Sequence, residues 1–204
     1  RPPSPPRPFA GTFHATRWAP SCPNTAEPPA PRCRTCSTRT NPPLSPNSED
    51  CLYLNVLAPA AALRGSGMPV MVFVHGGGGW MGAAPIYTNS SAMAEEGVVL
   101  VTVQYRLGLL GWLPHRLLRA EQGGLSGNYG LRDVVAALAW VRDNIEAFGG
   151  DPGSVTVFGQ SFGGSMMHYL MLSPLAHSLF HKIIVESGGL DWNGFAPQGD
   201  AEAG

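Results

Sequence analysis

The run Val155-Thr156-Val157-Phe158-Gly159-Gln160-Ser161-Phe162-Gly163-Gly164 constrains this chain most. It joins a buried, β-branched strand to a helical pattern through a G-x-S-x-G turn. In such a turn the serine is expected at strained backbone angles. Gly159 and Gly163 are required because side chains there would collide with the neighbouring strand and helix. The helix that follows points its positive N-terminal end at the serine, which suits an anion. Taken alone, the pattern also fits a glycine-rich βα turn that happens to hold a serine.

The rest of the chain supplies the sheet that such a turn needs. Leu52 to Leu57, Val70 to Val74, Val98 to Tyr105, Val155 to Phe158 and Lys182 to Val185 are short apolar runs bounded by Gly, Pro or polar residues, and they read as strands. Between the third and fourth, Leu131, Val134, Val135, Leu138, Val141, Ile145 and Phe148 recur at helical spacing, with Gly149-Gly150 as a stop. That spacing predicts an amphipathic helix of about five turns. A second helix is predicted to start immediately after Ser161 and run through Leu172, limited by Pro174. Alternating strands and helices predict an α/β fold, a mostly parallel sheet with helices on both faces. Thirteen of the 20 prolines precede residue 47, so residues 1–47 are expected to be an irregular Pro/Cys-rich segment attached to an α/β portion over 48–190, within one domain over 1–204.

A second glycine-rich turn, Val72-Phe73-Val74-His75-Gly76-Gly77-Gly78-Gly79-Trp80, also follows a strand. Its backbone N–H groups could converge on one oxygen and form an oxyanion hole. No Lys-Ser/Thr pair follows the glycines, as a nucleotide-binding loop would require. His75 is expected to anchor this loop rather than act as a base. A formal charge of −1 gives no reason to expect nucleic acid or an anionic membrane as partner. Cys22, Cys33, Cys36 and Cys51 lack the clustered spacing of a structural zinc site, so no metal is expected. An even count fits a disulfide-permissive compartment without fixing the pairing. Asn89-Ser90-Ser91 is a possible glycosylation triplet, and no apolar run approaches the roughly 20 residues that span a bilayer.

With both turns in place, the chain resembles the type-B carboxylesterase and cholinesterase family over nearly its whole length. Ser48-Glu49-Asp50-Cys51-Leu52-Tyr53-Leu54-Asn55-Val56 is similar to one signature of that family, and Gly150-Asp151-Pro152 through Gly164 to its serine signature. Tyr105-Arg106-Leu107-Gly108, Gly127-Asn128-Tyr129-Gly130 and Glu186-Ser187-Gly188 match as connecting segments. The resemblance implies an α/β-hydrolase fold and a serine hydrolase acting on small carboxylic esters with no cofactor. It makes Ser161 the nucleophile that forms the acyl ester, and Gly77, Gly78 and Phe162 the oxyanion donors. It also pairs Cys22 with Cys51, leaving Cys33 and Cys36 as a second bridge or free thiols. The cysteine usage and the Asn89-Ser90-Ser91 triplet suit a secreted or endoplasmic-reticulum-lumen location.

Three departures qualify what the resemblance implies. The family commonly has Glu before the nucleophile and Ala after it, where this chain has Gln160 and Phe162. The Phe162 ring is expected to take space beside the acyl group. Gln160 removes a negative charge, and no Trp lies between Cys22 and Cys51, which together argue against a choline ester. The family's acid and histidine follow far downstream in the order serine, acid, histidine. Only 43 residues follow Ser161; His168, His177 and His181 read as structural or surface groups, and Asp133, Glu186 and Asp191 as turn or helix-end residues. The chain therefore reads as an interior fragment whose leader and triad partners lie outside it, inactive by itself. The family also holds cholinesterase-like adhesion proteins without catalysis, which is the competing reading.

Overall fold

The computed structural model describes residues 19–23, 47–84, 91–121 and 126–190. Five strands form one sheet: β1 (Leu54–Leu57), β2 (Met68–Val74), β3 (Val99–Val103), β4 (Gly150–Gln160) and β5 (Lys182–Glu186). Their spatial order is β1-β3-β2-β4-β5, with β1 antiparallel to β3 and every other pairing parallel. The five predicted strands all form, within a few residues of their expected limits. The exception is β4, which starts at Gly150 because an irregularity between Met68 and Val70 lets it pair with both ends of β2.

Register explains how the two sheet faces divide. Val56, Val101, Val72, Val157 and Ile183 align across the sheet on one face. Asn55, Thr102, Phe73, Phe158 and Ile184 align on the other, because side chains alternate along a strand. The first face carries the main core. Against it pack Val134, Leu138 and Val141 of α4 (Tyr129–Asn144) and Met166, Met167 and Leu170 of α5 (Phe162–Leu172). The second face holds Phe73, Leu100 and Phe158, with Met93 of α1 (Ser91–Glu95) partly covering them. Helices thus lie on both faces, as expected. Ile184 is 42% exposed on the β5 edge of this second face.

The predicted five-turn helix is α4 continued by a 3-10 turn over Ile145–Phe148. Gly149, at φ 83°, ends it in the left-handed conformation that closes many helices. Three short helices, α1, α2 (Gly108–Trp112) and α3 (Arg116–Glu121), are not predicted by the sequence; each is too short to show helical periodicity. Cys22 and Cys51 form a disulfide buried at the edge of the main core, and Ser48 N–H donates to the Ser21 carbonyl beside it (2.9 Å). The pairing implied by the family resemblance is present. Cys33, Cys36, Asn89 and Asp191 lie outside the described residues.

Asp133, expected to be a helix-end residue, instead sits inside α4 and anchors the loop after β3. Its carboxylate accepts from the Arg106 backbone N–H (3.0 Å), Nε (2.8 Å) and an Nη (2.6 Å). The Asp133 side chain is 1% exposed, and the Arg106 guanidinium also lies 5.4 Å from the Tyr129 ring centre. Removing one member of a buried, hydrogen-bonded ion pair strands the other's charge and donors. Asp133→Ala is expected to lower the unfolding free energy of the full-length product by about 3 kcal/mol, measured by urea denaturation.

Candidate active site

In register, Val74, Val103, Gly159 and Val185 stand side by side near the carboxyl ends of β2, β3, β4 and β5. The residues that follow them are His75 and Gln104, just beyond β2 and β3, and Gln160 and Glu186, the paired last residues of β4 and β5, all at one edge of the sheet. In parallel α/β sheets this edge is where ligands bind, because the loops there are free to vary while the strands hold them rigidly. Both glycine-rich turns found in the sequence leave from it.

Ser161 occupies the junction of β4 and α5 at φ 56°, ψ −120°. This conformation is costly for a residue with a Cβ, by about 1–3 kcal/mol, and persists only where the surroundings enforce it. Ser161 N–H donates to the Glu186 carbonyl (2.8 Å), and Ser165 N–H donates to the Ser161 carbonyl (2.9 Å). The flanking glycines leave the backbones in contact. A Cβ on Gly163 would overlap the Val74 carbonyl oxygen, and one on Gly159 would lie 2.5 Å from the Gly163 carbonyl carbon. Both collisions expected from the sequence are therefore real, and they fix the serine above the end of the sheet.

The two turns meet. A Cβ on Gly76 would stand 3.1 Å from Ser161 Cβ and 2.7 Å from the Gln160 carbonyl oxygen. Beyond Gly76 the chain runs through Gly77, Gly78 and Gly79 at φ 108°, 65° and 75°. The Gly77 carbonyl accepts from Trp80 (3.0 Å) and Met81 (3.1 Å), which folds the loop back on itself. Phe162 is the first residue of α5 and so stands at its N-terminal end, beside Ser161. All four residues assigned to nucleophile and donor roles are thus gathered at the ends of β2 and β4.

The Phe162 side chain corrects one expectation. Its ring is 3% exposed, so it offers little surface to an acyl group. It stands edge-on to Trp112 (5.2 Å, 80°) and nearly parallel to Tyr105 (6.5 Å, 19°). A Cβ on Gly79 would be 2.6 Å from the tip of the ring. The ring thus braces the glycine loop through a space that only a glycine at 79 leaves open.

His75 is fully buried and anchors the loop, as expected. Nδ1 lies 2.8 Å from the Gly76 carbonyl, which places the ring proton on Nδ1, and Nε2 has no hydrogen-bond partner among the described residues. Burial pushes the imidazole down to about 4, although the bond to Gly76 favours the charged form. His168 lies on α5, His177 is exposed in the turn beyond it, and His181 accepts the Val155 N–H at Nδ1 (3.1 Å). Glu186 ends β5, and its backbone rather than its carboxylate meets Ser161.

Two outcomes follow from this geometry. Phe162→Ala leaves a cavity beneath the loop and is expected to cost about 3 kcal/mol, while Gly79→Ala costs less in the Phe162→Ala background than in the native sequence; a double-mutant cycle on unfolding free energies measures both. His75 is neutral when folded and regains its ordinary value near 6.5 on unfolding, so the unfolded chain takes up the extra proton. The corresponding stability is complete above about pH 6.5 and is lost as pH falls through the folded value of about 4, by up to about 3 kcal/mol. Urea titrations at several pH values are expected to show this loss, and His75→Asn is expected to lack it.

The description "Carboxylesterase family" belongs to a family model that matches residues 1–200. Fumonisin B1 esterase of Sphingopyxis macrogoltabida is 48% identical over 93% of this chain and 34% of that protein. Cocaine esterase of Oryctolagus cuniculus is 52% identical over 72% of the chain and 26% of its own length, and carboxylesterase 1D of Mus musculus 45% identical over 92% and 32%. The chain thus spans about a third or less of the relatives it matches. Among solved structures, a thermophilic PNB esterase superposes with a TM-score of 0.70 at 42% identity, covering 85% of this chain and 34% of that one. Sequence and fold agree, and the chain belongs to the carboxylesterase family.

Proposed function

We propose that this chain supplies the nucleophile and the oxyanion cradle of a carboxylic-ester hydrolase. The observation that carries the proposal is the strained Ser161 at the head of α5, in contact with the first glycine of the β2 loop. Ser161 Oγ attacks the ester carbonyl carbon and gives up its proton to a base as the bond forms. The carbonyl oxygen becomes an oxyanion, which the N–H groups of Gly77, Gly78 and Phe162 stabilise because they are already oriented. The C–O bond to the alcohol then breaks, leaving an acyl ester on Ser161. Water attacks that ester, releasing the acid and restoring the serine. The resemblance assigns the base to a histidine and its orientation to an acid, in the chain order serine, acid, histidine.

The substrate is a small, uncharged-alcohol ester rather than a choline ester, since Gln160 puts an amide where a carboxylate would attract a cation. A secretory or endoplasmic-reticulum setting suits the buried Cys22–Cys51 disulfide, which would not persist in a reducing compartment. No described helix is long and apolar enough to cross a membrane. The adhesion reading is weaker, because a fold used only for contact has no need to hold a serine in a strained turn.

The test is covalent labelling. A fluorophosphonate probe is expected to label the full-length product at Ser161 and to leave Ser161→Ala unlabelled, read by mass spectrometry of the modified peptide. Native protein that hydrolyses no p-nitrophenyl ester and takes up no probe would sink the assignment.

A further inference from the structure

We propose that Tyr105 is a positioning residue for the oxyanion cradle, holding both of its arms from beneath; the proposal rests on the ester-hydrolase reading. Tyr105 is fully buried in the loop between β3 and α2. Its O–H donates to the His75 carbonyl at 2.8 Å. That carbonyl belongs to the peptide plane that leads into Gly76, so its tilt sets the direction in which the chain enters Gly77 and Gly78. The same oxygen lies 2.9 Å from where a Gly163 Cβ would be, so it cannot shift toward the helix without meeting the elbow.

The ring acts on the other arm. One neighbour is the His75 imidazole, stacked at 4.4 Å and 22°, and another is the Phe162 ring at 6.5 Å and 19°. Phe162 carries the third candidate donor on its own backbone. One side chain therefore touches the residue that opens the glycine loop and the residue that opens α5. Asp133 and Arg106 fix the next position along the chain, so Tyr105 is itself held against a rigid neighbour. Its hydroxyl is turned to a backbone carbonyl inside the protein, so it acts through the cradle and does not touch substrate.

The kinetic consequence is specific. Donors to an oxyanion act only when the charge has formed, so a tilted cradle lowers kcat and leaves ground-state binding alone. Losing a whole donor slows such reactions by about 10²–10³-fold, and a tilt costs less, about 10-fold. In the full-length product, Tyr105→Phe is expected to lower kcat per titratable site on p-nitrophenyl butyrate by about 10-fold with KM changed less than about twofold. A trifluoromethyl ketone, which forms an oxyanion on the serine, should bind more weakly by the same factor. Incorporating p-aminophenylalanine at position 105 restores a donor and is expected to recover most of both losses.

Sites are counted by fluorophosphonate titration, so partial unfolding does not pass for slow chemistry. Unchanged kcat and unchanged ketone binding in Tyr105→Phe would overturn the proposal, as would a rise in KM with kcat intact. If Tyr105→Phe does not fold, p-methylphenylalanine at position 105, which fills the space of the hydroxyl without a donor, decides in its place: a kcat lowered about 10-fold supports the role and a native kcat overturns it. Native protein that takes up no fluorophosphonate overturns the ester-hydrolase reading itself, and the role of Tyr105 falls with it.

Discussion

The close approach of three backbones at the end of the sheet governs what the rest of the structure can do. The elbow after β4 is pressed between the exits of β2 and β5. Gly163 lies against the Val74 carbonyl, a Cβ on Gly188 would overlap the Gly164 backbone, and one on Gly164 would stand 2.7 Å from the Glu186 carbonyl oxygen. No rotamer choice relieves such a contact, since the colliding atoms belong to main chains. The strain at Ser161 is therefore enforced from both sides, and the hydrogen bond from its N–H to the Glu186 carbonyl closes the clamp. A serine in such a place cannot relax into the helix or the strand, and its side chain stays at the edge of the sheet.

That clamp needs strands that do not slide. Val70, Val72, Val74, Val99, Val101, Val103, Val155 and Val157 are all fully buried, and they form the sheet face that α4 and α5 cover. β-branched side chains suit this role because they are stiff at χ1 and pack flat against a helix layer. The opposite face is thinner, with two phenylalanine rings 5.0 Å apart and α1 beside them. Packing strength is thus concentrated under the helix that begins at the candidate nucleophile. Asp133 ties the same layer to the loop that carries Tyr105, so the core and that loop are mechanically one unit.

Strand positions and both glycine-rich turns were legible because they rest on local rules: alternation bounded by turn residues, and glycine where a backbone must come close. The antiparallel pairing of β1 was not legible, since a four-residue strand carries no mark of its direction. Asp133 shows a second kind of gap. Its helical position gave no hint that Arg106, 27 residues earlier, would place backbone and guanidinium donors around one carboxylate. Tyr105 was read as part of a strand and a connecting motif, and nothing local shows that its hydroxyl meets the His75 carbonyl. Contacts made by tertiary crossing are set by how the layers stack, which single-sequence periodicity does not encode.

Phe162 illustrates how a change of side chain can leave the backbone at a helix start in place. Any residue except proline carries a backbone N–H there, so what a substitution at 162 changes is where the side chain goes. Here the ring turns down between Tyr105 and Trp112 and fills the space that Gly79 leaves open. Alanine at 162 would empty that space, and a larger residue at 79 would expel the ring, so the two positions cannot vary independently. The aromatic side chain is thus buried beneath the glycine loop and bears on that loop's shape rather than on the solvent-facing surface.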